Sequence, residues 1–294
     1  MATLGIILNE AAGGGRCGRL APPVLAELAL AHDLTVRRTR GPGHGVTLAR
    51  ELADTVDVVV SVGGDGTLFE VVNGLMAVDG RRPALALLPL GTGNSFGRDV
   101  GVVDVPSARA ALSRATPRPV DVVRVTHADG VVHYVNLLSV GFAAEVGDLT
   151  NRRFKRLGAL GYIAAVLVQV TRLAPRPFPF APGADATDTA PLTLLSLSNS
   201  RYTGGDMMMA PEARIDDGCV DVVRIGAMGR RRLLSCFPKL FRGTHLQMQE
   251  VSSRHVGAVR FEPGPSVPVM LDGEIEMLSL REVEVLPGAL EMWA

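Results

Sequence analysis

Gly63-Gly64-Asp65-Gly66-Thr67 stands between an apolar run, Val58–Val62, and a helical pattern, Leu68–Met76. Glycines let a chain turn sharply and bring its backbone close to a phosphate, and the helix that follows offers unpaired N–H groups with partial positive charge. An anion is expected there. The plain alternative is a tight strand-to-helix turn with Asp65 as the helix cap. A second loop of the same design, Pro89-Leu90-Gly91-Thr92-Gly93-Asn94, follows the apolar run Ala84–Pro89, and a third, Asn9 to Gly15, follows the first apolar run. Loops at the ends of parallel strands stand together at the carboxyl edge of an open α/β sheet, where ligands bind. Three of them predict a nucleotide bed. The pattern GxxxxGK[ST] does not occur. With no lysine in these loops, the charge of a nucleotide calls for a metal, Mg²⁺, together with backbone amides and arginines such as Arg16.

Other polar constellations are weaker. Asp272-Gly273-Glu274 reads as a turn between two strands with Glu274 on a solvated edge. Asp216-Asp217-Gly218-Cys219 reads as a polar turn before the strand Val220–Ile225. Cys17, Cys219 and Cys236 lack CxxC spacing, which argues against a disulfide framework or a zinc site and for ordinary reduced thiols. His44, His127, His133, His245 and His255 are scattered without ligand spacing. Arg152, Arg153, Lys155 and Arg156 precede the apolar stretch Leu157–Val170 and read as a solvated helix start or a basic membrane-facing edge.

The elements that must position these residues follow from periodicity. Over the first part of the chain short apolar runs alternate with helical patterns: strands Gly5–Leu8, Thr35–Arg38, Val58–Val62 and Ala84–Pro89, and helices Val24–Ala31, Val46–Ala53 and Leu68–Met76. That alternation predicts βαβ units and a parallel sheet. From Asp121 the texture turns to β alternation at Val120–Thr126, Val131–Leu138, Leu192–Leu197, Val220–Ile225 and Val256–Phe261, with helical insertions at Lys155–Leu173 and Arg231–Phe241 and a Pro/Gly-punctuated loop at Ala174–Pro191. The expected division is a nucleotide-binding α/β domain at 1–122, a β-rich domain at 123–283, and a chain end, 284–294, that returns to the first.

The chain has 294 residues, 47% hydrophobic and 20% charged, so all of it is expected to fold. Lys+Arg and Asp+Glu are both 30, a balance that gives no field for nucleic acid or for an anionic membrane. The start lacks the pattern of a signal peptide, and the uncharged stretch Leu157–Thr171 falls short of the ~20 residues that cross a bilayer. These features predict a cytoplasmic protein.

Ser61–Leu75, SVGGDGTLFEVVNGL, followed by Pro89–Gly101, PLGTGNSFGRDVG, resembles the catalytic domain of diacylglycerol kinases and their bacterial lipid-kinase relatives, a pattern shared by sphingosine and ceramide kinases. The resemblance continues through Asn199–Val222 and Leu271–Glu274. It implies an NAD-kinase-like α/β domain, a β-sandwich-like C-terminal domain, and ATP with Mg²⁺ in the cleft between them. By motif position it implies that Asn9, Thr39, Gly63, Gly64, Asp65, Gly66, Thr67, Glu70, Gly91, Thr92 and Asn94 serve the nucleotide or its metal. It further implies that Glu274 is the general base for a lipid hydroxyl, with Asp272 nearby, and that Asp217, with the main chain of Arg214 and Cys219, holds a structural Mg²⁺. A lipid substrate implies peripheral contact with a membrane; the oligomeric state stays open, a homodimer included. The sequence departs from its relatives at Glu10, where Pro is usual, and at Ser95, where many carry Asp. An NAD-kinase-like enzyme acting on a soluble substrate and a non-catalytic regulatory homologue are the rival readings.

Overall fold

The computed structural model describes residues 1–114, 116–154 and 158–294, and of Asn151, Phe154 and 158–163 the backbone alone. Lys155 and Arg156, named above for a basic edge, lie outside the described residues. The chain forms two compact units, one of Met1–Val122, His133–Val135 and Leu286–Ala294, the other of Val123–Val132 and Asn136–Val285.

In the first unit β1 (Thr3–Leu8), α1 (Arg16–Leu28), β2 (Asp33–Arg38), α2 (His44–Leu52), β3 (Val58–Gly63), α3 (Asp65–Met76), β4 (Ala84–Pro89), α4 (Ser95–Val100) and α5 (Val105–Arg114) follow one another. The strands run parallel in the order β2-β1-β3-β4, and the end of the chain adds one more parallel strand, with Met292 opposite Leu85 and Trp293 opposite Ala86. Every residue of β3 and β4 is buried, as their unbroken apolar runs require of strands covered on both faces. Because all strands point the same way, the loops after β1, β3 and β4 leave from one edge. Helix α1 starts eight positions before the expected Val24 and runs through Pro22 and Pro23. Cys17, Ala21, Val24 and Leu28 form its buried stripe, so burial of that face overrides the helix-breaking tendency of the prolines.

The chain leaves this unit within β5 (Pro117–His127) and β6 (Gly130–Tyr134). His133 stays with the first unit through Asn73, whose Nδ2 donates to the His133 carbonyl and whose Oδ1 accepts from its amide, both at 2.8 Å. The second unit holds β7 (Leu137–Gly141), α6 (Phe142–Leu149), a π-helical turn at Thr150–Phe154, α7 (Gly158–Thr171), β8 (Phe180–Pro182), β9 (Leu192–Ser198), a small hairpin of β10 (Tyr202–Thr203) and β11 (Met207–Met208), β12 (Val220–Gly226), α8 (Arg230–Leu240), β13 (Val251–Val256), β14 (Ala258–Phe261), β15 (Val267–Leu271), β16 (Glu274–Leu278) and the first part of β17 (Leu280–Trp293), whose residues from Leu286 onward belong to the first unit. Six strands form an antiparallel sheet in the order β13-β12-β9-β7-β15-β16, and β14 pairs with β17 and β8, which gives a β-sandwich-like domain. The sheet packs on α6 and α8 through Leu137, Phe142, Leu194, Val223, Leu233 and Cys236.

Two expected strands are each divided. Val131–Leu138 breaks at Val135–Asn136, where the Asn136 carbonyl accepts from Asn199 (2.9 Å) and Ser200 (3.1 Å) instead of continuing the ladder. Val256–Phe261 divides at Gly257 into β13 and β14, which join different sheets. The expected loop Ala174–Pro191 contains β8.

Candidate active site

In the first unit the loops after β3 and β4 meet backbone to backbone. The Leu90 and Gly91 amides both donate to the Gly63 carbonyl, at 2.9 and 2.8 Å. A Cβ on Gly91 would sit 2.3 Å from Gly64 Cα, and one on Gly63 would sit 2.3 Å from Thr67 Oγ1. The third loop closes on the same edge: a Cβ on Gly13 would lie 3.0 Å from the Leu90 carbonyl. Asn9 ties the third loop to the first, its Nδ2 donating to Thr67 Oγ1 at 3.0 Å and its Oδ1 accepting from the Ala11 amide at 3.2 Å.

Asp65 and Gly66 open α3, and Asp65 does not cap that helix. Its Oδ2 accepts from the Ser95 amide at 3.1 Å and its Oδ1 faces the Phe96 amide at 3.5 Å, so the carboxylate closes the start of α4 instead. Burial pushes its pKa above the ordinary carboxylate value, while the amides of Ser95, Phe96 and Asn94 pull in the opposite direction. Ser95 adds a side-chain hydrogen bond to Asp65, a role an aspartate there could not fill while both groups are ionised. Asn94 adopts a left-handed backbone (φ 51°), and its Nδ2 donates to the carbonyls of Pro89 and Gly91 at 3.3 and 3.2 Å.

Glu70, on α3, has both oxygens occupied: the amides of Gly43 and Gly45 donate to Oε1 and Oε2, each at 2.7 Å, at the start of α2. Thr39, half-buried after β2, donates its amide to the Leu8 carbonyl at 3.0 Å. Glu10 pairs with Arg38 at 3.0 Å, which offsets the negative charge this departure places in the third loop. Thr92 is exposed, and a cavity of about 500 Å³ beside Gly91–Asn94 is bordered by Gly13, Arg16 and Arg98. The edge therefore combines close-approaching backbone, two guanidinium groups and carboxylates anchored by amides, an arrangement suited to a polyphosphate.

In the second unit Asp272 and Gly273 both have positive φ (49° and 95°) and form the two-residue turn joining β15 to β16, with Leu271 opposite Glu274. Asp272 is buried, and its Oδ1 accepts from the amides of Asn136 and Leu137 at 3.0 and 2.9 Å. Asn136 is in turn hydrogen-bonded through its side chain to Ser200. The exposed Glu274 is thus presented by a turn fixed from beneath. Asn136 supports this turn, and nothing in its sequence spacing marks it.

At the other candidate turn, the Cys219 amide donates to Asp217 Oδ1 at 3.1 Å, and His255 Nε2 lies 3.3 Å from Asp217 Oδ2. Arg214 pairs with Asp216, Nε to Oδ1 at 3.5 Å. Asp221, directly opposite His255 in the β12–β13 register, is buried, and that burial raises its pKa against the pull of the imidazole.

Glycine-rich loops on a parallel sheet, followed by a β-sandwich-like domain with an acidic hairpin turn, define a class of nucleotide-using kinases, and the sequence places the chain within it. Residues 3–125 match the diacylglycerol kinase catalytic domain and residues 136–294 the YegS C-terminal NAD kinase beta sandwich-like domain. The diacylglycerol kinase of Mycobacterium tuberculosis is 30% identical over 293 residues, covering 97% of this chain and 93% of its own. A probable lipid kinase YegS-like protein of Chromohalobacter salexigens is 34% identical over 268 residues, covering 88% and 83%. A crystal structure of a candidate diacylglycerol kinase from Bacillus anthracis superposes with a TM-score of 0.79 at 26% identity, covering 99% of this chain and 94% of that one. The chain belongs to the diacylglycerol kinase and YegS-like lipid kinase family, and is a phosphotransferase of that kind.

Proposed function

We propose that this protein transfers the γ-phosphate of ATP to the hydroxyl of a diacylglycerol-like lipid. The observation that carries the donor half is the contact of Gly64 with Gly91, which brings two glycine loops together beside a cavity of about 500 Å³. The amides of Gly64, Gly66, Thr67 and Thr92 hold the phosphates, with Gly63 and Gly91 joining the two loops, Asn9 fixing Thr67 and Asn94 shaping the second loop. Asp65 keeps α4 and the Gly91–Asn94 loop in register, and Glu70 holds the start of α2 close to Thr39. The side-chain donors around these loops are oxygens, Asp65 and Thr67 among them, which fits Mg²⁺. Bound with the nucleotide, Mg²⁺ would neutralise charge on the β- and γ-phosphates.

Glu274 is the proton acceptor. As the lipid hydroxyl oxygen forms its bond to the γ-phosphorus, the bond from that phosphorus to the β-phosphate oxygen breaks, ADP leaves, and the hydroxyl proton passes to Glu274. Asp272 positions this carboxylate by fixing the turn. Its lipid substrate places the enzyme, cytoplasmic in this reading, at a membrane surface; no helix among the described residues is long and apolar enough to cross one.

The test is incubation with γ-labelled ATP and Mg²⁺ against diacylglycerol, monoacylglycerol, phosphatidylglycerol, sphingosine, ceramide, undecaprenol and NAD. Label in a lipid supports the proposal, with diacylglycerol expected. Label in NAD alone, or in no acceptor, overturns it in favour of an NAD-kinase-like enzyme or a non-catalytic homologue.

A further inference from the structure

We propose that Asp217, Cys219 and His255 bind a divalent transition-metal ion of the zinc class, at a site separate from the nucleotide loops. A carboxylate oxygen, the thiol sulfur and an imidazole nitrogen from these three residues all lie within 4.8 Å of one another. A tetrahedral zinc-class centre with bonds of ~2.0–2.3 Å needs its ligand atoms roughly 3.3–3.7 Å apart, within reach of small side-chain rotations.

The fold produces this convergence. Gly218 takes a left-handed conformation (φ 75°), and the turn brings the Cys219 amide back to Asp217 Oδ1, which leaves Oδ2 directed at His255. His255 arrives from β13, through the pairing that sets it opposite Asp221. Its two nitrogens face different partners: Nε2 lies 3.3 Å from Asp217 Oδ2, and Nδ1 lies 3.6 Å from Asp221 Oδ2. Carboxylate, then imidazole, then ligand cluster is the order found where an outer carboxylate fixes the tautomer of a metal-binding histidine. Asp221 is only 6% exposed, while the imidazole is open to solvent, so the outer partner is fixed and the metal position is accessible.

The donor set decides the class of metal. Mg²⁺ takes oxygen ligands and would use the Asp217 carboxylate with main-chain carbonyls, as the family resemblance implies; it draws nothing from a thiolate or an imidazole. Sulfur and nitrogen donors beside one carboxylate favour zinc-class ions, with water completing the coordination. The bound ion would clip the turn before β12 to the edge strand β13. This assignment does not depend on the kinase reading.

The test uses the metal alone. Chelator-stripped full-length protein is titrated with Co²⁺, and the expected result is one equivalent bound with tetrahedral visible bands and a near-ultraviolet thiolate-to-cobalt band, displaced by Zn²⁺. Cys219→Ser should remove the thiolate band and weaken Zn²⁺ at least ~100-fold in chelator competition. Asp221→Asn should keep the band and weaken Zn²⁺ ~10–100-fold. Cys17 and Cys236, both buried, remain as internal controls. If Cys219→Ser does not fold, His255→Gln supplies the affinity comparison. Absence of the cobalt spectrum, a thiolate band that survives Cys219→Ser, a Zn²⁺ affinity unchanged by His255→Gln, or tighter binding of Mg²⁺ than of Zn²⁺ would each overturn the proposal.

Discussion

Gly64 and Gly91 touch through their main chains: a Cβ on Gly91 would lie 2.3 Å from Gly64 Cα and 2.8 Å from Gly64 N. The obstacle is backbone and cannot rotate away, so one of the two loops must move to admit even a methyl group. Gly91→Ala should destabilise the protein by about 1–3 kcal/mol and weaken ATP binding together. Thermal unfolding combined with calorimetric ATP titration checks this; wild-type values of both would show that the contact carries neither role.

Asp65 carries a pH signature. Its folded pKa is raised by burial, so ionising it costs more in the folded than in the unfolded chain. Its effect on stability is therefore unfavourable above the folded pKa and is relieved as pH falls toward the unfolded carboxylate range. Asp65→Asn keeps one acceptor for the α4 amides and has no such term, so wild type should gain stability relative to the variant as the pH is lowered from neutral. Urea unfolding of both proteins at a series of pH values measures the difference; a gap that is flat or of opposite slope contradicts the burial argument.

Glu70 makes two charge-assisted hydrogen bonds to the amides of Gly43 and Gly45. Glu70→Ala leaves both donors to water and should lower stability by about 1–3 kcal/mol, with looser ATP binding through displacement of the loop that carries Thr39. Glu70→Gln, which keeps one acceptor, should fall between the two. Equal effects of the two substitutions would show that the hydrogen bonds do not set the loop.

Asp272 combines a left-handed backbone with a buried acceptor. Asp272→Ala adds strain and leaves the Asn136 and Leu137 amides unpaired, at about 1–3 kcal/mol for each donor. Asp272→Asn tolerates the same φ and retains an acceptor, so it should keep most of the melting temperature. Identical melting temperatures for the two variants would remove the turn-fixing role.

The parallel sheet was readable from the sequence because β3 and β4 are buried on both faces and so are apolar at every position. The meeting of the glycine loops was readable for a related reason: parallel strands send all their ends to one edge. What the residues at those loops hold was hidden. Asp65 reaches the start of α4 and Glu70 the start of α2, contacts set by helix packing and not by spacing. Pro22 and Pro23 concealed the first half of α1, since tertiary burial outweighed local propensity. Asp217, Cys219 and His255 are brought within 4.8 Å of one another by the turn before β12 and the β12–β13 pairing, a proximity that residue spacing does not register.

The central claim is transfer to a lipid hydroxyl with Glu274 as base, and the Glu274→Ala enzyme tests it most directly. Turnover of γ-labelled ATP onto diacylglycerol should fall ~10²–10⁴-fold while the Kd for ATP stays at its wild-type value, because a general base acts on the acceptor and not on the nucleotide. Undiminished turnover, or a loss explained wholly by weaker ATP binding, would contradict it.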